Sequence, residues 1–522
     1  MAYSRRAGPL RSIREWGVKG DGLTDDSLLV AQACADLRGT GAAIHVPSDC
    51  RLLMGPAARL AGSPPVLDNV GLVSVGGRDS GAPYGLRGGT VLLTDTGGSP
   101  FIVKRNFRFD GLVFFWPAQV EDGSAPRVFP ALLTGDGTGQ SGGNEVTQGR
   151  FEDCDVVNAW VVADFAADVC GGLQVHRNRM YFLKAGFRLS SMPVESFFTS
   201  NQFSPNAFGN ATGVTGGATT RLRDQAARNA SVFEVVGDGT SSARSSKSVD
   251  GLNLSNNYTF GLGYGIRAMG GTLDLASLAD NGFDGVGRVI SVETGGLVSG
   301  VRVLGGNWYT YTFGSPSAVT ASIYSAPDAA PGNNLHIGGV SAESSSGALA
   351  DWNAPQSVLT FSDVQAPGLN SLAGGGGIAS GIRFNSAGGR LGVVGGTLAM
   401  NGTAPGPGVD VLLPAQMLTV TGVHFVGCGA PISVGGSFAP TRATITGNAS
   451  VGTHGSAAYV GAQAAALPDV GNAWDKPTAG WSQATRGADG ALTFAFGGTV
   501  QAALLPNGTL RTAGAVVAST TP

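Results

Sequence analysis

The chain has 522 residues with 84 glycines, 42% hydrophobic residues, only 13% charged residues and a formal net charge of -3. That apolar share excludes a disordered chain, the glycines keep no three-residue period, and the near-neutral charge without a long basic run excludes nucleic acid as a natural partner. No apolar run approaches a membrane span, and the start, MAYSRRAGPLRS, has no apolar stretch after its basic residues, so neither a membrane anchor nor a secretion signal is expected.

Residues 1–60 read as a separate N-terminal cap. Thr24 is positioned to cap a helix, Asp25 and Asp26 suit its positive end, Leu28, Leu29, Ala33 and Leu37 give it an apolar face, and Gly39 ends it. Ala42 to Pro47 (AAIHVP) then reads as a strand. Such a helix covers the open end of a stacked core.

From residue 61 to about 460 a six-residue pattern, apolar-x-Gly-apolar-x-apolar, keeps returning. It reads Phe109 to Phe114 (FDGLVF), Val249 to Leu254 (VDGLNL), Val298 to Val303 (VSGVRV), Ile337 to Ala342 (IGGVSA) and Val420 to Phe425 (VTGVHF). Looser copies start at Val70, Val146, Val175, Phe198, Phe361, Val393 and Ile445. Positions one and four point to opposite sides of a flat strand, so both are buried only if the chain turns between them, with glycine at the corner. Each copy is then strand, corner, strand, and must stack on its neighbours to form a core. Steps such as Val175 to Phe198 are one turn of a coil, and the longer gap from Val249 to Val298 implies a masked copy between them. The architecture predicted is an all-β, single-stranded parallel β-helix.

Pro205 to Lys247 reads as a polar insertion, and residues 461–522 as a small C-terminal β module, with ALTFAF, VQAALL and TLRTAGAVV as strands and Pro506-Asn507-Gly508 as a hairpin turn. The five cysteines, Cys34, Cys50, Cys154, Cys170 and Cys428, have no metal-like spacing and read as reduced.

The segment WGVKGDGLTDDS, Trp16 to Ser27, resembles the opening signature of pectate-lyase-like right-handed β-helix proteins, bacteriophage tailspikes among them. The matching residues are Gly17, Gly20, Asp21, Gly22, Thr24, Asp25 and Asp26. Glu15-Trp16 and Ser48 depart from the usual pattern. The resemblance covers about 35 residues, which hold the N-terminal helix and its following strand. It implies a virion-tail protein acting at the host surface, a homotrimer that binds and cleaves host surface polysaccharide, attached to tail or baseplate through its N-terminus. It implies structural roles for the acidic residues of the signature. The alternatives are a non-enzymatic receptor-binding fibre and a free extracellular polysaccharide lyase or hydrolase.

Within the coil, Asn178 and Asn201 fall at inward position four of consecutive copies and predict an internal amide ladder. Outward position five carries Arg150, Arg179 and Gln202, then Asn253 and Arg302, a polar stripe suited to an acidic or hydroxyl-rich chain. The acidic cluster Glu152, Asp153, Asp155, Asp164, Asp168 supplies carboxyl groups for glycoside hydrolysis. Glu152 or Asp155 with Glu195 is the catalytic pair predicted, with an Asp155–Lys184 ion pair as the rival structural reading. His176, Arg177 and Arg179 lie beside the cluster and also permit uronate elimination. Trp308, Tyr309 and Tyr311 form the richest aromatic patch, suited to stacking on sugars or to packing. No cofactor and no metal site is expected.

Overall fold

The computed structural model describes residues 9–474 apart from 76–88, 120–124, 138–145, 206–225, 227, 238–247, 311–320, 345–346, 370–379, 402–405, 436–441, 453–458 and most of 461–473, and beyond them the C-terminal strands. It divides into two compact units, residues 1–315 and 316–522.

In the first unit the chain winds as a parallel coil. The first face stacks strands from Leu10–Ser12, Ala43–His45 and Gly71–Val73 through Arg108–Asp110, Arg150–Glu152, Gln174–His176, Ser196–Thr199, Leu252–Ser255 and Ser277–Ala279 to Val301–Leu304, all parallel. Their central residues, Leu72, Phe109, Phe151, Val175, Phe198, Leu254, Leu278 and Val303, are in register and buried. The residues on either side half-face solvent, as strand alternation requires.

After each such strand a single residue in the left-handed region turns the chain onto a second face. Gly111 does this with φ 69°, and Asp153, Arg177, Ser200, Asn256 and Asp280 do it with φ 52–56°. A third face follows, then a short return strand and a second left-handed corner at Gly251, Leu275 or Gly300. The six-residue pattern therefore marks two different corners. Phe109–Phe114 crosses the first, whereas Val249–Leu254 and Val298–Val303 cross the second.

The masked copy is Leu273 to Leu278, in register with Val249 on one side and Val298 on the other at its first residue. Leu275 occupies its corner with φ 49° and is 63% exposed. A β-carbon is strained there and the side chain buries little, so Leu275→Gly is expected to raise stability by up to about 1 kcal/mol in urea unfolding. A fall in stability would show that Leu275 contributes packing that outweighs the strain.

The N-terminal helix runs Ser27–Asp36, two residues later than the Thr24 cap predicts. Asp26 occupies the cap position without capping and turns back to accept from the Lys19 and Gly20 backbone N–H groups at 3.0 and 3.1 Å. Asp25 accepts from Ser27, Gly55 and Ala57, and Asp21 from Leu23 and Thr24. Asp21 and Asp26 thus brace the backbone of the opening signature itself, and Asp25 ties the start of the helix to the segment at Gly55 and Ala57. Gly20 lies so close to Cys50 that a β-carbon would sit 2.2 Å from its Sγ.

The second unit stacks Asn334–Gly338, Val358–Ser362, Arg390–Val394, Met417–Thr421 and Ala443–Thr446 in parallel, with Ile337, Phe361, Val393, Val420 and Ile445 in register. Coil packing extends past the boundary expected at 460: Asn448 bonds to Asn472 at 2.9 Å, and Trp474 packs edge-on against Tyr459. Trp481–Arg486, Leu492–Phe496, Thr499–Leu504, Leu510–Thr512 and Ala515–Val516 then form an antiparallel sheet in chain order. The Pro506-Asn507-Gly508 turn lies outside the described residues.

All five cysteines are buried and free, and burial pushes the Cys34 and Cys170 thiols up to about 12. No helix among the described residues is long and apolar enough to cross a membrane.

Candidate functional site

The strands Arg108–Asp110, Arg150–Glu152 and Gln174–His176 bring the chemistry together on the first face. Asp110, Glu152 and His176 are in register, side by side, one strand spacing of about 4.8 Å apart in the backbone. Next to them runs the column Arg108, Arg150, Gln174. Arg108 pairs with Asp110 at 2.5 Å. Among the described residues, neither Arg150 nor Glu152 takes a side-chain hydrogen bond or ion pair. Both remain available to a ligand, within the field of His176.

The His176 imidazole is held below its ordinary value, first by burial and then by Arg177 and Arg150, with the Glu152 charge opposing. Its Nδ1 meets the Thr199 hydroxyl of the next strand, which fixes the ring. At neutral pH the ring is therefore an uncharged base. Asp110 is the residue that the sequence reading missed. It stands at position two of the strongest copy, FDGLVF, and position two faces outward whenever position one is buried.

The predicted catalytic pairs are not assembled. Asp155 lies past the corner on the second face, where both its oxygens are held by Arg179 at 2.8 and 2.6 Å. Its ion partner is this arginine, in register with it, rather than Lys184. Lys184 bonds instead to the fully buried Glu234 at 2.6 Å. Glu195 sits at the entrance of its first-face strand and accepts from Asn253 at 2.7 Å. Glu152 is in register with His176 and thence with Thr199, four residues beyond Glu195. Strand rise and spacing put the two roughly 15 Å apart, beyond the reach of a hydrolytic pair.

The predicted polar stripe divides in two for the same reason that the pattern marks two corners. Arg150 stacks with Gln174, Phe197, Asn253, Ser277 and Arg302 on the first face. Arg179 and Gln202 stack with Asp155 and Tyr258 on the second. Arg177 occupies a corner and is held by Asp153 at 3.0 and 2.7 Å. Of the aromatic patch, Trp308 is 2% exposed and packs edge-on against Phe283, a core role, whereas Tyr309 is 39% exposed. Tyr311 lies outside the described residues.

No protein-family model and no curated protein matches the chain. Among solved structures, the tailspike protein of E. coli bacteriophage HK620 in complex with pentasaccharide aligns over 93% of this chain and 83% of its own, with 12% identity and a TM-score of 0.55. The chain has the tailspike β-helix fold. A double mutant of the same tailspike aligns over the same shares, also at 12% identity, with a TM-score of 0.54. At this identity the likeness is one of fold, and the chemistry of this β-helix has to be read from its own residues.

The third face of the β-helix carries a second set of carboxylates, and these are committed. Arg188 lies between Asp164, at 2.6 Å, and Glu234, at 3.1 Å, an alternating ladder that neutralises the buried acid. Asp168 is 4% exposed and accepts from the Gly137 N–H at 3.0 Å. Burial chiefly, with the charges of Asp136 and Asp164, raises its carboxyl above the ordinary range. A folded-state value above the unfolded one means that the contribution to stability is fully present below the unfolded value and is lost as pH rises from there through the folded value, where Asp168 ionises. Asp168→Asn is therefore expected to raise the thermal midpoint at neutral pH and to leave it nearly unchanged at about pH 3. An equal shift at both values would mean that the charge is not the cause.

Proposed function

We propose that this β-helix binds a surface polysaccharide along its coil and hydrolyses it on the first face, with Asp110 and Glu152 as the carboxyl pair. The observation that carries this reading is their register at one strand spacing, which suits a retaining glycosidase pair about 5 Å apart. Arg108 fixes the Asp110 carboxylate for attack on the anomeric carbon or for stabilising its positive charge. Glu152, uncommitted among the described residues, delivers the proton to the leaving oxygen and recovers it from water. The saccharide complex of a tailspike of the same fold supports the substrate class. The setting that this reading assigns is a homotrimer on a virion tail, attached through the arginine-rich start.

A second reading has its own support. The uncharged His176, with Arg150 free to hold a carboxylate, suits β-elimination on a uronate. Incubation with purified lipopolysaccharide O-chains and capsules separates the readings. New reducing ends without ultraviolet absorbance mean hydrolysis, and reducing ends with the absorbance of unsaturated uronates mean elimination. Binding without either leaves a receptor-binding fibre.

A further inference from the structure

Tyr258 begins a second-face strand, is 43% exposed and is in register with Gly282 of the next strand. A β-carbon on Gly282 would lie 3.1 Å from Tyr258 Cδ2, so the absence of a side chain there lets the ring lie against the backbone with its other face to solvent. The Tyr258 hydroxyl donates to Asp284 Oδ2 at 2.7 Å, which locks the ring's direction. Asp284 is in turn in register with Tyr309, itself 39% exposed. Tyr258 and Tyr309 are thus two strands and two residues apart, roughly 12 Å by strand spacing and rise, with a carboxylate between them. None of the residues of Tyr258–Phe260, Gly282–Asp284 and Asn307–Tyr309 is Lys or Arg.

We propose that Tyr258 and Tyr309 are stacking subsites for neutral, hydroxyl-rich sugar residues, separate from the carboxylate pair and holding the same chain further along the coil. Pyranose rings present C–H faces to aromatic rings, and Asp284 accepts from sugar hydroxyls while repelling anionic sugars. The absence of a cation on these strands selects against uronates here. The proposal rests on the polysaccharide-binding part of the function above and not on cleavage.

The test measures binding by calorimetry in a Glu152→Gln background, with dextran, lipid-free O-polysaccharides and polygalacturonate as probes. A neutral polymer is expected to bind, and Tyr258→Ala to weaken it roughly tenfold. Tyr258→Phe, which keeps the ring, should stay within about threefold, and Gly282→Ala, which displaces the ring without removing it, should weaken binding measurably. Equal affinity of Tyr258→Ala and its parent, binding of polygalacturonate alone, or no binding of any neutral polymer overturns the proposal. Tyr258-dependent binding, together with no cleavage of the bound polymer by the protein that retains Glu152, sinks the hydrolase reading and leaves the subsites standing.

Discussion

Asn201→Ala is expected to cost about 3–5 kcal/mol, the largest loss of stability of any single polar truncation proposed for this chain. Asn178, Asn201, Asn257 and Asn281 form a buried amide ladder in which each Oδ1 accepts both the backbone N–H and the Nδ2 of the preceding asparagine, at 2.9–3.1 Å. Each Nδ2 also donates to a main-chain carbonyl, Asn201 to Val175 at 2.9 Å. Removing the Asn201 amide strands the Asn178 N–H and one Asn178 Nδ2 hydrogen in the buried core and takes one of its hydrogen bonds from the Val175 carbonyl. Two orphaned donors and one weakened acceptor account for the magnitude. Gln202→Ala, one residue on and facing outward, should change stability by less than about 0.5 kcal/mol. Urea unfolding of the two variants checks both numbers, and similar losses would mean that the ladder contributes little.

Glu152→Gln is expected to lower the rate of polysaccharide cleavage by about 100- to 10,000-fold, the range of a lost general acid, with binding retained. Asp110→Asn should fall comparably. Glu195→Gln should keep most of its activity, because Glu195 lies at the far end of the first-face strands. All three activities are read as initial rates of reducing-end release at saturating polymer. Full activity in Glu152→Gln would move the chemistry elsewhere on the coil.

The fold was legible because its cause is local. A left-handed corner between two buried apolar residues leaves a mark of six residues, and the mark repeats. Asn178 and Asn201 were legible in the same way. Asn257 and Asn281 were not, because the copy read there, Val249–Leu254, crosses the other corner and ends at Leu254, short of the corners that Asn256 and Asp280 occupy. Asparagine and aspartate tolerate that conformation, so a pattern that admits them finds both copies.

The site was less legible because it depends on register. Val146 and Val175 stand at different corners, and the true partner of Val175 is Phe151, five residues after Val146. Counting from the wrong corner matched Asp155 with Lys184 instead of Arg179 and put Arg150 in one stripe with Arg179. The long strands Asp155–Gly171 and Arg179–Val194 slip against each other at several points, which no fixed period anticipates. Asp110 was hidden by the 41 residues that lie between it and Glu152, although the two are strand neighbours.

The most direct measurement is a crystal structure of the Glu152→Gln variant soaked with an oligosaccharide from the polymer it binds. A glycosidic oxygen beside residue 152, with Asp110 facing the anomeric carbon, is the result that the account predicts. A sugar chain lying wholly on the third face, against Asp164 and Arg188, would contradict it.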